Sequence, residues 1–309
     1  MRLLITGGAG CLGAAIAERT LARGGFVLAL DNFATGARDA LAPHANLTIM
    51  EGTIADAATV DAAFAGFAPT HVVHSAASYK NPDDWAEDIA TNVAGTAHTV
   101  AAATRHDVQR FIYLNTALVY GRARQTPIAA DHPLDPFTSY AISKAAGERY
   151  VMLSGLSWVS LRLANIYGPR HYSGPIPTFY KRLKAGQPCT VVATRRDFVE
   201  MEDFLDLIDR IVERPTVTGA FNVASARDYA IAETFARVAA ALGVPDDRPQ
   251  EIPHEGDDVA SLMLDPSATE AAFGWKARVS FDEGLKRQID WYEAHGVGDT
   301  FTHLNIGRK

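Results

Sequence analysis

Leu3-Leu4-Ile5-Thr6-Gly7-Gly8-Ala9-Gly10-Cys11-Leu12-Gly13 decides the fold. Four residues suited to a buried strand run into a loop rich in glycine, and an amphipathic stretch, Leu12–Arg23, follows at once. Gly7, Gly10 and Gly13 satisfy GxxGxxG, while Gly8, Gly10 and Gly13 satisfy GxGxxG. Backbone without Cβ serves three needs here: a tight turn, the close approach of a pyrophosphate, and close packing of helix on strand. The helix start then offers N–H groups and the positive end of its dipole to an anion.

Outward from this unit, the first half alternates short apolar runs with longer amphipathic stretches, as βαβ units of a parallel sheet do. Strands are predicted at Leu3–Thr6, Phe26–Leu30, Leu47–Glu51, His71–His74, Phe111–Asn115 and Trp158–Leu163. Helices are predicted at Leu12–Arg23, Asp56–Phe67, Trp85–His106 and Tyr140–Ser154. Gly168-Pro169, Gly174-Pro175 and Pro177 then break regular structure. Beyond them lie predicted helices at Thr178–Lys184, Asp203–Glu213, Ala232–Leu242 and Phe281–His295, and a strand at Ala220–Ala224. The expected architecture is α/β: a Rossmann-type doubly wound parallel sheet over residues 1–166 with a return segment near 203–224. A smaller C-terminal α/β domain takes 167–202 and 225–309.

Asp31 ends the second predicted strand, 18 residues past Gly13, where an acid holds an adenosine ribose through its 2′-hydroxyl. A carboxylate there repels a 2′-phosphate, so the dinucleotide expected is NAD and not NADP.

Composition narrows the remaining classes. Hydrophobic residues make up 48% of the 309 and charged residues 21%, which excludes a disordered chain. A net charge of −7 argues against a nucleic-acid surface spread over the chain. No apolar run is long enough for a membrane span, and structure beginning at Leu3 leaves no room for a cleavable signal. Cys11 and Cys189 lie far apart and outside any metal-ligand spacing, so no metal is expected. The chain reads as a cytoplasmic, disulfide-free enzyme.

Tyr140-Ala141-Ile142-Ser143-Lys144 sets a phenol and an ammonium four residues apart, on one face of a helix. A lysine near a tyrosine stabilises phenolate and is expected to lower the phenol from its ordinary value, making it a general acid–base near neutral pH. Thr116 follows Asn115 at the end of a predicted strand, where a side chain at the carboxyl edge of a parallel sheet faces the ligand crevice. Thr116, Tyr140 and Lys144 are therefore the candidate catalytic residues.

These motifs resemble those of the extended short-chain dehydrogenase/reductases, in the NAD-dependent nucleotide-sugar epimerase/dehydratase family. The resemblance also rests on Asp31-Asn32-Phe33-Ala34-Thr35-Gly36, His74-Ser75-Ala76-Ala77, Thr91-Asn92-Val93, Val119-Tyr120-Gly121, the run Leu161–Arg170, Arg196-Asp197-Phe198-Val199 and Phe221-Asn222-Val223. It implies that Gly7, Gly10, Cys11, Leu12, Gly13, Asp31, Asn32, Thr35, Gly36, Thr53, Ile54, Ala76, Ala77, Asn92, Tyr140 and Lys144 surround NAD, with Ala76 and Ala77 along the pyrophosphate and Asn92 bracing the catalytic region. It further implies that Asn165 and Arg196 contact the diphosphate of a nucleotide sugar, most simply a UDP-sugar bound near Thr116, and that the chain is a homodimer through helices 85–106 and 140–154.

Within the family, dehydratases follow the threonine with Asp-Glu and decarboxylases keep a Glu two residues after it. Here those positions are Ala117 and Leu118, which transfer no protons. The resemblance thus implies a UDP-sugar 4-epimerase-like isomerase, with a 4,6-dehydratase or an epimerase at another carbon as alternatives. A ketone reductase and an NAD-binding sensor or scaffold without turnover are the rivals from other classes. Three departures stand out. Gly52-Thr53-Ile54 lacks the usual aspartate at the adenine, and the segment 190–196 is shortened. The usual second arginine of the C-terminal domain is missing, so either His254 stands in or Arg170 compensates. His71 and His74 read as core histidines, Asp203, Asp206 and Asp209 as complements to a helix dipole, and Tyr180–Lys184 as a solvated face.

Overall fold

The computed structural model describes residues 1–79, 81–245, 249–254, 259–298 and 300. Its central sheet begins at β1 (Arg2–Thr6), where Leu3, Leu4 and Ile5 are wholly enclosed. The chain continues through α1 (Cys11–Ala22), β2 (Phe26–Asp31), β3 (Leu47–Glu51), α2 (Ala57–Phe67) and β4 (His71–His74). Next come α3 (Trp85–Asp88), a π-helical segment (Ile89–Gly95), α4 (Thr96–Arg105), β5 (Arg110–Thr116), α5 (Ser139–Leu153) and β6 (Trp158–Leu163). The second half contains β7 (Asn165–Tyr167), α6 (Pro175–Lys184), β8 (Thr190–Val192), β9 (Arg195–Glu200), α7 (Met201–Val212) and β10 (Gly219–Val223). After these lie β11 (Asp228–Ala230), α8 (Ile231–Leu242), β12 (Gln250–Ile252), β13 (Ser261–Leu262), α9 (Ser267–Phe273) and α10 (Phe281–His295).

Seven strands form the main sheet in the order β10-β6-β5-β4-β1-β2-β3, and every pairing from β5 to β3 is parallel. Strand order reverses between β1 and β4, so the glycine loop after β1 and the segment after β4 meet at the switch point, where open α/β sheets bind ligands. β10 returns to this sheet from the second half. Leu4, Leu28, Val72, Phe111 and Tyr113 pack under Phe64 of α2 and Ala102 and Ala103 of α4. Asp56 starts α2 by accepting from the N–H groups of Ala58 and Thr59.

The chain divides into two units: Met1–Val119 with Pro136–Arg162 and Leu207–Phe221, and Tyr120–Asp135 with Leu163–Asp206 and the chain from Asn222 onward. The second unit holds β11, β9 and β13 in one sheet, with β7 on β9, and a separate pair, β12 and β8. Its core is aromatic, built on Tyr167, Phe179, Phe198, Phe235, Phe281 and Tyr292.

Four local readings are corrected. The predicted helix Trp85–His106 contains the π turn at Ile89–Gly95. α6 starts at Pro175, because a proline in the first turn sacrifices no hydrogen bond. Tyr180 lies in the core and donates to Glu293 at 2.9 Å instead of facing water. Asp203 stands in the first turn of α7, as the dipole reading has it, and also accepts from the N–H groups of Arg278 and Val279, both at 2.8 Å, whereas Asp209 lies beyond that turn and pairs with Arg19 and Arg23.

Candidate active site

The glycines divide their work by what a Cβ would meet. At Gly7, with φ +68°, a Cβ would stand 2.8 Å from the backbone of Ala76, so this residue lets the loops after β1 and β4 touch. At Gly13 it would stand 2.1 Å from the carbonyl oxygen of Gly7, so this residue lets α1 press on the turn. At Gly10 the nearest atom would be that same oxygen at 3.3 Å, and α1 begins there without a side-chain cap. The loop is thus closed at Gly7 and Gly13 and least crowded at Gly10, beside a positive helix end suited to a phosphate.

Asp31 holds this cradle in shape. One carboxylate oxygen accepts from Ala9 N–H and the other from Phe33 N–H, each at 2.8 Å. Each oxygen keeps a further lone pair for a ribose hydroxyl. Gly36 presses on Ala9, Asn32 accepts from Ala34 N–H, and Thr53 accepts from Ala55 N–H while Ile54 is buried. Ala76 N–H reaches the Thr6 hydroxyl at 3.3 Å, and Ala76 and Ala77 are both half-buried. The Thr35 hydroxyl bonds the phenol of Tyr79. Cys11 and Leu12 occupy the first turn of α1, and neither Cys11 nor Cys189 is in a disulfide.

Asn92, in the π turn, fixes the segment after β4. Its amide donates to Ser78 O at 2.9 Å and to Ser143 Oγ at 3.0 Å, and its oxygen accepts from Ser78 N–H at 2.8 Å. These contacts tie residue 78 to α5, which makes Asn92 a brace.

α5 starts on Thr138, which accepts from Ala141 N–H, so Tyr140 stands in the first turn and Lys144 in the next. Lys144 is enclosed; its Nζ donates to Leu114 O at 2.7 Å and lies 4.1 Å above the Tyr113 ring. Burial brings the lysine down to about 7, with Glu148 opposing. Thr116 N–H donates to Asn115 Oδ1, and its hydroxyl accepts from Leu118 N–H at 3.2 Å. One expectation is overturned. The Tyr140 phenol is raised, not lowered: burial dominates, and Tyr79 and Asp88 add to the rise. The Tyr79 ring stands edge-on, 6.4 Å away.

Asp88 and Glu148 escaped the sequence reading. Asp88 Oδ2 accepts from Ser139 Oγ at 2.7 Å, while its buried Oδ1 has no hydrogen-bond partner among the described residues. Glu148 is wholly buried against Arg162; its one sequence signal was a spacing of four from Lys144. His74 bonds Thr6 and Thr96 through its two ring nitrogens, and burial lowers it to about 3. Among the described residues no three His, Cys, Asp or Glu side chains are grouped to hold a metal ion, and no helix is long and apolar enough to cross a membrane.

In the second unit, Asn165 of β7 faces Phe198 of β9, and Arg196 stands two residues before Phe198, hence on the same side of the sheet. Asn165 donates to Asp197 O at 3.0 Å. Arg196 is buried and donates to the carbonyls of Arg195 and Val259 at 2.7 and 2.8 Å. Arg170 is half-buried with φ +64°. His254 is exposed, and residues 255–258 lie outside the described ones.

Residues 3–224 match the sequence model described as the NAD dependent epimerase/dehydratase family. The enzyme WbmG of Bordetella bronchiseptica, crystallised in complex with NAD and UDP, is similar in structure: 50% identity, TM-score 0.92, covering 98% of this chain and 97% of that one. UDP-glucose 4-epimerase of Mycolicibacterium smegmatis is 29% identical over 94% of this chain and 98% of its own. dTDP-glucose 4,6-dehydratase of Streptomyces niveus is 28% identical over 94% and 93%.

Proposed function

The chain belongs to the NAD dependent epimerase/dehydratase family, and on that premise we propose that it is a nucleotide-sugar epimerase inverting C4 of a UDP-hexose or UDP-hexuronic acid through a transient keto-sugar. One arrangement carries the reading. Lys144 is anchored on β5 two residues before Thr116 and a helical turn from Tyr140, in the unit that holds the Gly10 cradle. The residues after Thr116, Ala117 and Leu118, can neither donate nor accept the proton of an elimination.

The residues present fit NAD: the less crowded backbone at Gly10, the uncapped start of α1 and the Asp31 carboxylate suit its pyrophosphate and ribose. Asn32, Thr35, Gly36, Thr53, Ile54, Ala76 and Ala77 line its path. Bound there, NAD supplies a reversible hydride acceptor with a formal positive charge. Tyr140, as phenolate, takes the proton of the sugar hydroxyl and returns it after the sugar has turned its other face. Thr116 holds the same oxygen by a hydrogen bond. Lys144, in its ammonium form, sets a positive charge one helical turn from the phenol, of the sign that favours phenolate against the burial that raises it. Asn165, Arg196 and Arg170 hold the diphosphate, for which a guanidinium fork is suited. The UDP bound by WbmG supports a uridine nucleotide as the carrier of the sugar. The partner is a second copy of this chain, and the compartment is the cytoplasm.

The test is incubation of the purified protein with UDP-, GDP-, CDP- and dTDP-sugars, reading product configuration by NMR. The expected product differs from a UDP-sugar substrate only at C4, with no net NADH. A 4-keto-6-deoxy product would make the enzyme a dehydratase, and no conversion of any sugar would defeat the reading.

A further inference from the structure

On β5, two adjacent residues receive the two buried charged side chains of α5. Lys144 Nζ donates to Leu114 O at 2.7 Å, and Asn115 Nδ2 donates to Glu148 Oε1 at 3.0 Å. Lys144 and Glu148 are separated by one helical turn, so their side chains run together along one face, and both are enclosed. Four donors clamp the Glu148 carboxylate: Asn115, Ser160 Oγ at 2.6 Å, and Arg162 through Nε and Nη2 at 3.1 and 2.9 Å.

We propose that Glu148 is the positioning residue that keeps Lys144 a cation, and so fit to serve Tyr140. This rests on the epimerase reading for its consequence but not for its geometry. A buried ammonium tends to lose its proton, and a fixed anion one turn away is the feature of this site that resists the loss. The other groups around the ammonium cannot do so. From β5, Tyr113 presents a ring whose phenol burial holds neutral. From β4, His74 is neutral, because burial and then Lys144 itself drive it down to about 3. On α5, Tyr140 is raised and uncharged. On β6, Arg162 carries a positive charge and is spent on Glu148. Burial alone would raise Glu148 and neutralise it, but the bonds from Arg162, Ser160 and Asn115 more than reverse that, leaving the carboxylate ionised.

The experiment is an NMR titration of Lys144 in protein labelled with 13C-lysine, comparing the wild type with Glu148→Gln. Glutamine keeps an oxygen for Asn115 and Ser160 but removes the charge and the second acceptor, which serves Arg162. The Lys144 midpoint should fall by about one unit or more, as loss of an opposite charge at this range requires. The limb of the kcat/KM profile that follows Lys144 should move down with it. Since Arg162 is stranded in that variant, a second variant, Glu148→Gln with Arg162→Met, separates charge from folding. It should melt near the wild type and still titrate low. A Lys144 midpoint unchanged in both variants would overturn the proposal. A lowered midpoint in a protein that converts no nucleotide sugar would keep Glu148 in its role and defeat the epimerase reading instead.

Discussion

Gly10 and Gly13 are three positions apart and differ in what one methyl group would do. At Gly13 it would enter the carbonyl of Gly7, and relieving that overlap shifts the loop or α1. Overpacking of this kind costs about 1–3 kcal/mol, so Gly13→Ala should melt early. At Gly10 the methyl group would stand 3.3 Å from the Gly7 carbonyl oxygen, so the loop need give by only a few tenths of an ångström, and a φ of −73° is one that alanine accepts. Gly10→Ala should therefore lose less stability than Gly13→Ala yet bind NAD at least tenfold more weakly by calorimetry. Unchanged NAD affinity would place the pyrophosphate elsewhere. Tyr140→Phe removes one oxygen and should lower kcat about 10²–10⁴-fold, as loss of a general acid–base does, with NAD affinity retained. Near-normal turnover would remove Tyr140 from the chemistry. The glycines were legible because a need for bare backbone is met by one residue type. Asp88 was not, because its burial against Ser139 depends on where α3 packs, and the raised phenol of Tyr140 follows from that same enclosure.

Asn92 shows what an element adds to its residues. The π turn is wider than an α-turn, and such turns often mark functional sites. Here it carries the side chain that bonds both backbone groups of Ser78 and the hydroxyl of Ser143. Asn92→Ala strands those partners, and each buried group left unpaired costs about 1–3 kcal/mol. The variant should unfold at lower urea and bind NAD more weakly, because residue 78 sits just past Ala76 and Ala77. A variant with native stability and native affinity would show that the brace is idle. No pattern of apolar spacing announces such a turn, so the sequence reads as one helix. Strand legibility divided in the same physical way. β1, β2, β4 and β5 are covered on both faces and spell apolar runs. β9 reads Arg-Arg-Asp-Phe-Val-Glu, and β7, β8, β11 and β12 have three residues each, too short for any periodicity to register.

At the scale of the whole molecule, the first unit shows a face that water alone does not explain. α5 packs against α3 and the π turn, and the outer side of this layer exposes Trp85 at 66%, Ile89 at 60%, Ile142 at 51% and Leu153 at 81%. Trp85 and Ile89 are one helical turn apart, while Ile142, Tyr150 and Leu153 follow helical spacing along α5. An apolar face of this size on one chain marks an interaction site, and a self-complementary pairing of the same two helices closes as a two-fold dimer. Of the alanines between 94 and 103, Ala102 and Ala103 are turned into the core of their own chain, while Ala94 and Ala97 are half-buried and Ala101 is exposed. Sedimentation equilibrium should therefore give twice the 33.3 kDa of the chain. Ile89→Asp with Leu153→Asp, both at exposed positions, should halve that mass while far-ultraviolet circular dichroism stays unchanged. A wild type that sediments as one chain at micromolar concentration would leave these helices without a partner copy. A double variant that stays dimeric would move the interface to another face of the chain.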